Sequence, residues 1–413
     1  REGKGKKGEL PPNNWESVFG GPAWTQIEDG QWYLHIFDSS QPDFDWDNPK
    51  VVEEFESVLR FWLDRGVAGF RIDVAHGLVK EPGLPDVVEN NSTMTGISDE
   101  LKDYQHPFWG QPGVHEINRK FRRVLDEYED RAMCGEAWLS TIPKMAQWVR
   151  PDEYHQTFNF GYLGCPWDKE QLRDVIDESI AEFGGVGAPS TWVLSNHDTI
   201  RHVTRMAYDE IPRQGDGIGP NYPQPDEAKG QRIGRAASAF MLGLPGGAYI
   251  YQGEELGLPE HTTLEGKYRQ DPTYFRTKGE RVGRDGCRVP IPWEADAPAL
   301  GFNATGEAWL PQPSNYKIYA RASQRGVAGS TLELYKRLIK LRKEHQMGHG
   351  TLKWADEYAG ENSLAYINNG VLVLANFTGS PISLPKGELL ATTQHDLTVE
   401  EVLEHDQVAW IKL

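Results

Sequence analysis

From residue 67 onward the sequence alternates short apolar runs with amphipathic segments, and this alternation constrains the fold more than any other feature. The runs 67–74, 131–138, 157–163, 191–196 and 248–252 read as strands. The segments 114–128, 141–149, 169–183, 231–242 and 331–345 read as helices, the last of them strongly amphipathic (TLELYKRLIKLRKEH). Apolar strands separated by helices imply a parallel sheet covered by helices.

The flanks read differently. Residues 13–38 carry short aromatic and β-branched runs broken by Gly-Gly and Asp-Gly, which are short strands joined by turns. Asn48-Pro49 then opens a helix whose apolar positions Val51, Val52, Phe55, Val58, Leu59 and Trp62 keep helical spacing, ending near Arg65-Gly66. After residue 346 come the strand-like runs 364–367, 371–376, 382–384 and 408–411, separated by Asn-Gly, Gly-Ser and Pro-Lys-Gly turns. That is the pattern of a small antiparallel β domain. A chain of 413 residues has room for one large core and such a second domain.

Charge narrows the partners. A formal net charge of −18 repels phosphate backbones and anionic lipid, which excludes nucleic acid and membrane surfaces. The single basic run, Arg1 to Lys7, is interleaved with glycine and reads as a solvated loop. No apolar run is long enough to span a bilayer. The three cysteines, Cys134, Cys165 and Cys287, lack metal-ligand spacing, and their odd number argues against a disulfide framework. A reducing, cytoplasmic interior fits them best. Fourteen Trp and 16 Tyr offer faces that stack on sugar rings, although core filling is the ordinary reason for such residues.

Three carboxylates sit where the strands end. GFRIDVAH (69–76) ends a strand with Asp73, and period-two alternation puts Arg71 on the same face. CGEAW (134–138) ends the next with Glu136, and SNHD (195–198) ends a later one with His197 and Asp198. In a (β/α) barrel the C-terminal strand ends converge on one mouth. Two carboxylates about 5 Å apart there allow double displacement at an acetal carbon. A lone Asp after a strand is more often a helix cap or turn residue. Three such residues, one paired with Arg and one with His, are harder to dismiss.

These segments resemble, in order, signature regions of the α-amylase-like glycoside hydrolases. QPDFDWDNP (41–49) is similar to the short signature before the fourth barrel strand in the oligoglucosidase branch. NHDTIRH (196–202), YIYQGEELGL (249–258) and GRDGCRVPIPW (283–293) extend the match across the chain, nearest in look to bacterial cytoplasmic α-glucosidases of the actinobacterial type. The resemblance implies a (β/α)8 TIM barrel followed by a C-terminal antiparallel β domain. It assigns Asp73 as nucleophile, Glu136 as general acid/base and Asp198 as the carboxylate that grips the 2- and 3-hydroxyls of the sugar. Arg71, His197 and Arg284 become substrate-binding residues. Arg71 is expected to keep Asp73 ionised, and burial of Glu136 to keep it protonated before the first step. Arg201 and Arg288 remain open between substrate contact and framework, Phe158 and Phe160 read as core more than pocket wall, and His76 reads as structural. Val74, after the nucleophile, is a residue type associated in the family with tolerance of α-1,6 bonds, a weak cue.

The implied domains are 1–45, the end of an excursion domain inserted in the barrel, 46–345, the barrel from the helix before its fourth strand, and 346–413, the β domain. Only about five barrel strands are found, and the family's first signature region has no match before Gln41. The expectation is an N-terminally truncated chain whose first barrel strand exposes an apolar edge, and which is insoluble or inactive by itself. The implied activity is exo-acting hydrolysis of small α-glucosides of the maltose, isomaltose or sucrose class, by a monomer without cofactor or metal. A transglucosylating relative of the trehalose synthase or sucrose isomerase type would use the same carboxylates. A non-catalytic homologue, such as a transporter-associated or glycan-binding protein, would have lost them.

Overall fold

The computed structural model describes residues 1–87, 106–394 and 402–413. An antiparallel ribbon comes first, β1 (Trp24–Gln26) against β2 (Trp32–Leu34). Three helix–strand steps follow: α1 (Pro49–Leu63) to β3 (Gly69–Ile72), α2 (Val114–Leu125) to β4 (Ala132–Gly135), and α3 (Ile142–Ala146) to β5 (Gln156–Thr157). Then come α4 (Phe160–Gly164), α5 (Lys169–Gly185), β6 (Thr191–Val193), α6 (His202–Arg205), α7 (Glu227–Gly243) and β7 (Gly247–Tyr249). Helices α8 (Pro272–Arg276), α9 (Arg321–Gln324) and α10 (Thr331–Glu344) lead to the terminal strands. These are β8 (Lys353–Trp354), β9 (Ser363–Asn368), β10 (Val371–Asn376), β11 (Ile382–Ser383), β12 (Glu388–Thr392), β13 (Val402–Leu403) and β14 (Gln407–Lys412).

The parallel pairing expected from the alternation is present. β3, β4 and β5 form one parallel sheet, and β6 and β7 pair parallel in a second. The chain divides into two compact units, one of Arg1–Gly161, Glu178–Ser190 and Pro272–Glu280, the other of Tyr162–Asp177, Thr191–Asp271 and Arg281–Leu413.

In the first unit, Asn48 caps α1 by accepting from the Lys50 amide, with Pro49 in the first turn, where its missing N–H costs nothing. Val52, Leu59 and Leu63 are the buried stripe of that helix, while Val58, Phe61 and Trp62 are 39–47% exposed. β3 pairs only with β4 among the described residues, and its Phe70 and Ile72 are partly buried. β3 and β4 approach closely at Gly69, where a Cβ would collide with the Ala132 carbonyl oxygen. Gly69→Ala is expected to cost about 3 kcal/mol and lower the melting temperature by several degrees; an unchanged melting temperature would contradict this packing.

In the second unit the core lies between α7, α10 and the terminal sheet. That sheet has the order β12-β14-β10-β9-β8, all antiparallel. Phe240, Met241, Leu338, Val373 and Trp410 are fully buried in it. Trp410 Nε1 donates to the Ala239 carbonyl at 3.1 Å and the Tyr366 hydroxyl to that of Phe240 at 2.6 Å, so the sheet is hydrogen-bonded to α7 as well as packed on it. Both faces of the β9–β10 hairpin are covered, since nearly every residue of these two strands is buried.

One segment folds differently from the sequence reading. The run 157–163 is strand only to Thr157; Phe160 to Gly164 is helix. Phe160, Tyr162 and Leu163 are all buried, and an apolar run buried on every side has no periodicity to separate strand from helix. The strands β8, β12 and β13 were not anticipated, being short or interrupted by a bulge between Leu389 and Ala391.

The second unit also buries ionisable groups. Burial pushes the Glu254 carboxyl up to about 8 and the Glu260 carboxyl up to about 7, and pushes the His202 imidazole down to about 3. The folded chain thus keeps the Glu254 proton where the unfolded chain, at about 4.5, has lost it. Stability from this group is expected to fall as pH rises from about 4.5 to 8. His202 acts in the other direction, losing stability as pH falls from about 6.5 toward 3. Urea unfolding at pH 5 and pH 8 should show a smaller difference for Glu254→Gln than for the parent. An equal difference in both proteins would rule out Glu254 as its source.

Candidate active site

The first cluster of charged residues follows from the register of β3 and β4. Arg71 pairs with Cys134 and Ile72 with Gly135, so Asp73 and Glu136 come next at the C-terminal ends of neighbouring parallel strands. Arg71 Nη1 lies 2.5 Å from Asp73 Oδ1 and Arg71 Nη2 lies 2.9 Å from Glu136 Oε2. One guanidinium therefore bridges both carboxylates, where only the Asp73 pairing was anticipated. Glu136 Oε2 also accepts from the Val74 amide at 3.0 Å, and its Oε1 from Trp138 Nε1 at 3.1 Å.

The two carboxylates differ sharply in environment. The Asp73 side chain is 69% exposed and that of Glu136 only 5%. Trp138, which holds Glu136, lies face to face with Phe160 at 3.6 Å between ring centres. Tyr154 packs against Gly135 so closely that a Cβ there would meet its ring at 2.9 Å. Phe160 is thus a buried platform for Trp138, as a core reading requires, and Phe158 lies 5.9 Å from it. His76 is buried and stacked on Trp109 at 4.5 Å.

Val74 adopts φ 44° and ψ 39°, the left-handed region. For a β-branched residue this is an outlier, of the kind that persists only where surrounding contacts impose it. Here the imposed turn directs the Val74 amide to Glu136 Oε2 and the Ala75 amide to the Glu136 carbonyl at 2.9 Å. The strained residue locks the Asp73 loop to Glu136.

The second cluster lies in the other unit, at the end of β6. His197 Nε2 is 3.1 Å from Asp198 Oδ2, and Asp198 is buried. Arg284 Nη1 and Arg288 Nη2 both reach Asp198 Oδ1, at 2.7 and 2.8 Å. Arg284 is itself held by Asp271 Oδ2, through Nε at 2.6 Å and its own amide at 2.9 Å. Burial alone would lower the Arg284 pKa, but Asp271 and Asp198 outweigh it and the net shift is upward. Arg288 further donates from Nε to the His197 carbonyl at 2.8 Å.

Arg288 belongs with Asp198. Arg201 is buried and donates to the carbonyls of Gln252 and Cys287, both at 2.9 Å, which is framework. Asp271 was missed, since an Asp before a proline reads as a turn or cap. Cys134, Cys165 and Cys287 are free and buried. Among the described residues no group of three or more His, Cys, Asp or Glu is placed to hold a metal ion, and no helix is long and apolar enough to cross a membrane.

Comparison with known proteins accords with this geometry. The model of the alpha amylase catalytic domain matches residues 1–350. The oligo-1,6-glucosidase of Parageobacillus thermoglucosidasius is 31% identical over 450 residues, covering 99% of this chain and 75% of that enzyme. A probable alpha-glucosidase of Rhizobium meliloti is 31% identical over 418 residues, covering 96% of this chain and 71% of the relative. Among solved structures, the trehalulose synthase MutB of Pseudomonas mesoacidophila superposes with a TM-score of 0.79 at 26% identity, over 100% of this chain and 77% of that one. The fold is that of a (β/α)8 barrel enzyme with a C-terminal antiparallel β domain. The chain belongs to the α-amylase family of glycoside hydrolases.

Proposed function

We propose that this glycoside hydrolase is a retaining, exo-acting α-glucosidase that removes terminal α-linked glucose from maltose- or isomaltose-type oligosaccharides. Asp73 attacks the anomeric carbon while Glu136 gives its proton to the departing glycosidic oxygen, forming a β-glucosyl ester on Asp73 and releasing the shortened sugar. Glu136, now a carboxylate, takes a proton from water, which displaces Asp73 and yields α-glucose. Asp198 grips the 2- and 3-hydroxyls of the glucose, with His197 and Arg284 as further sugar contacts. The observation that carries this reading is the Arg71 fork between an exposed Asp73 and a buried Glu136. Exposure suits a group that must reach carbon, and burial suits one that must exchange a proton.

The likeness to a trehalulose synthase favours one second reading, interception of the ester by a sugar hydroxyl instead of water. Incubation with maltose, isomaltose, sucrose and trehalose, followed by proton NMR from the first seconds, separates the two. Hydrolysis with retention gives free glucose that appears first as the α-anomer. Isomerised disaccharide in place of glucose would favour transfer, and initial β-glucose would contradict retention.

A further inference from the structure

The second unit contains a cavity of about 670 Å³ among residues 267–270, 295–300 and 306–317, a size within the range of small-molecule sites. None of its lining residues belongs to either carboxylate cluster. We propose that it is a second, non-catalytic carbohydrate site that binds an α-linked glucose oligomer.

Its chemistry fits a carbohydrate. Trp309 and Tyr268 line it and are 59% and 42% exposed, although apolar rings of this size ordinarily seek cover. Sugar rings offer C–H faces to such surfaces and hydroxyls to polar neighbours. Gln270, Gln312, Lys317 and Asp296 supply donors and acceptors of both kinds around the same cavity. The amide nitrogens of Gln270 and Gln312 are engaged by the carbonyls of Trp309 and Pro290, at 2.8 and 3.0 Å. Those bonds orient the side chains in advance, which spares a ligand that cost.

The wall is also held in an unfavourable backbone state. Ala299 and Leu300 both lie in the left-handed region, with φ 45° and 50°, followed by Gly301 at 77°. The Leu300 carbonyl accepts from the amides of Trp293 and Glu294, at 2.7 and 2.9 Å, and so keeps the turn in place. Strain maintained in this way is typical of ligand-clasping segments. The cavity further adjoins the Asp198 cluster along the chain: the amides of Gln270 and Asp271 share Asp285 Oδ2, at 2.9 and 3.0 Å, and Asp271 carries Arg284.

That the sugar is an α-linked glucose oligomer rests on the proposed function. The test is titration of the enzyme with maltotriose and isomaltotriose, by calorimetry, with the catalytic site saturated by 1-deoxynojirimycin. The expected result is one remaining saturable site, weakened about tenfold by Trp309→Ala and similarly by Tyr268→Ala. Phe302→Ala, an exposed neighbour outside the lining, should leave binding unchanged. Absence of the second site in the inhibited enzyme would overturn the proposal, as would equal losses from Phe302→Ala and Trp309→Ala. Failure of the inhibitor to bind would instead count against the α-glucosidase reading, and the two failures are thereby distinguishable.

Discussion

Asp73→Asn is expected to lower kcat/KM on maltose by about 10⁴-fold or more, equivalent to about 5.5 kcal/mol of lost transition-state stabilisation. The amide keeps the shape of the carboxylate but cannot form the glucosyl ester. Fold should survive, because the side chain is 69% exposed and Arg71 retains its bond to Glu136. A sharper form uses Asp73→Gly with azide, which can enter the vacated space and displace an activated aryl group from carbon. The product should be β-glucosyl azide, since azide then attacks from the face Asp73 occupied. Ordinary turnover by Asp73→Asn would show that another residue is the nucleophile.

Glu136→Gln should separate the two chemical steps. Loss of the proton donor is worth about 10²–10⁴-fold on natural sugars, whose leaving oxygen needs a proton. An aryl α-glucoside with an acidic phenol leaves without that help, so the first step persists. The second step still lacks its base, and stopped-flow absorbance should record a burst of phenol followed by slow release. This variant also changes the group on which Arg71 Nη2, the Val74 amide and Trp138 Nε1 converge. A stability measurement is therefore needed beside the kinetics: a folded variant with equal losses on both substrate types would contradict the acid/base role.

The parts of this site that could be read from the sequence are those that depend on local order. Strand alternation placed Arg71 and Asp73 on one face, and a Gly-Glu at the next strand end marked Glu136. The bridge from Arg71 to Glu136 depends on the register Arg71 to Cys134, which arises only once two distant segments pair. The same is true of Asp198, whose His197 neighbour is adjacent in sequence while Arg284, Arg288 and Asp271 are not. The left-handed Val74 had no local signal, because a β-branched residue predicts the opposite backbone. Helix α4 was read as strand for the related reason that Phe160 to Leu163 is apolar throughout and buried. Long, capped elements such as α1 and α10 were legible almost to their ends, since Asn48 and Ser330 mark their starts chemically.

The proposed mechanism requires a covalent glucosyl ester on Asp73. Incubation with 5-fluoro-α-glucosyl fluoride, which supplies a good leaving group and slows the second step, should load one fluoroglucosyl group per chain. Peptic digestion and tandem mass spectrometry are expected to find it on the peptide containing Asp73, and on that side chain. A label on Glu136 or elsewhere, or steady turnover of the reagent with no adduct at any time, would contradict the account.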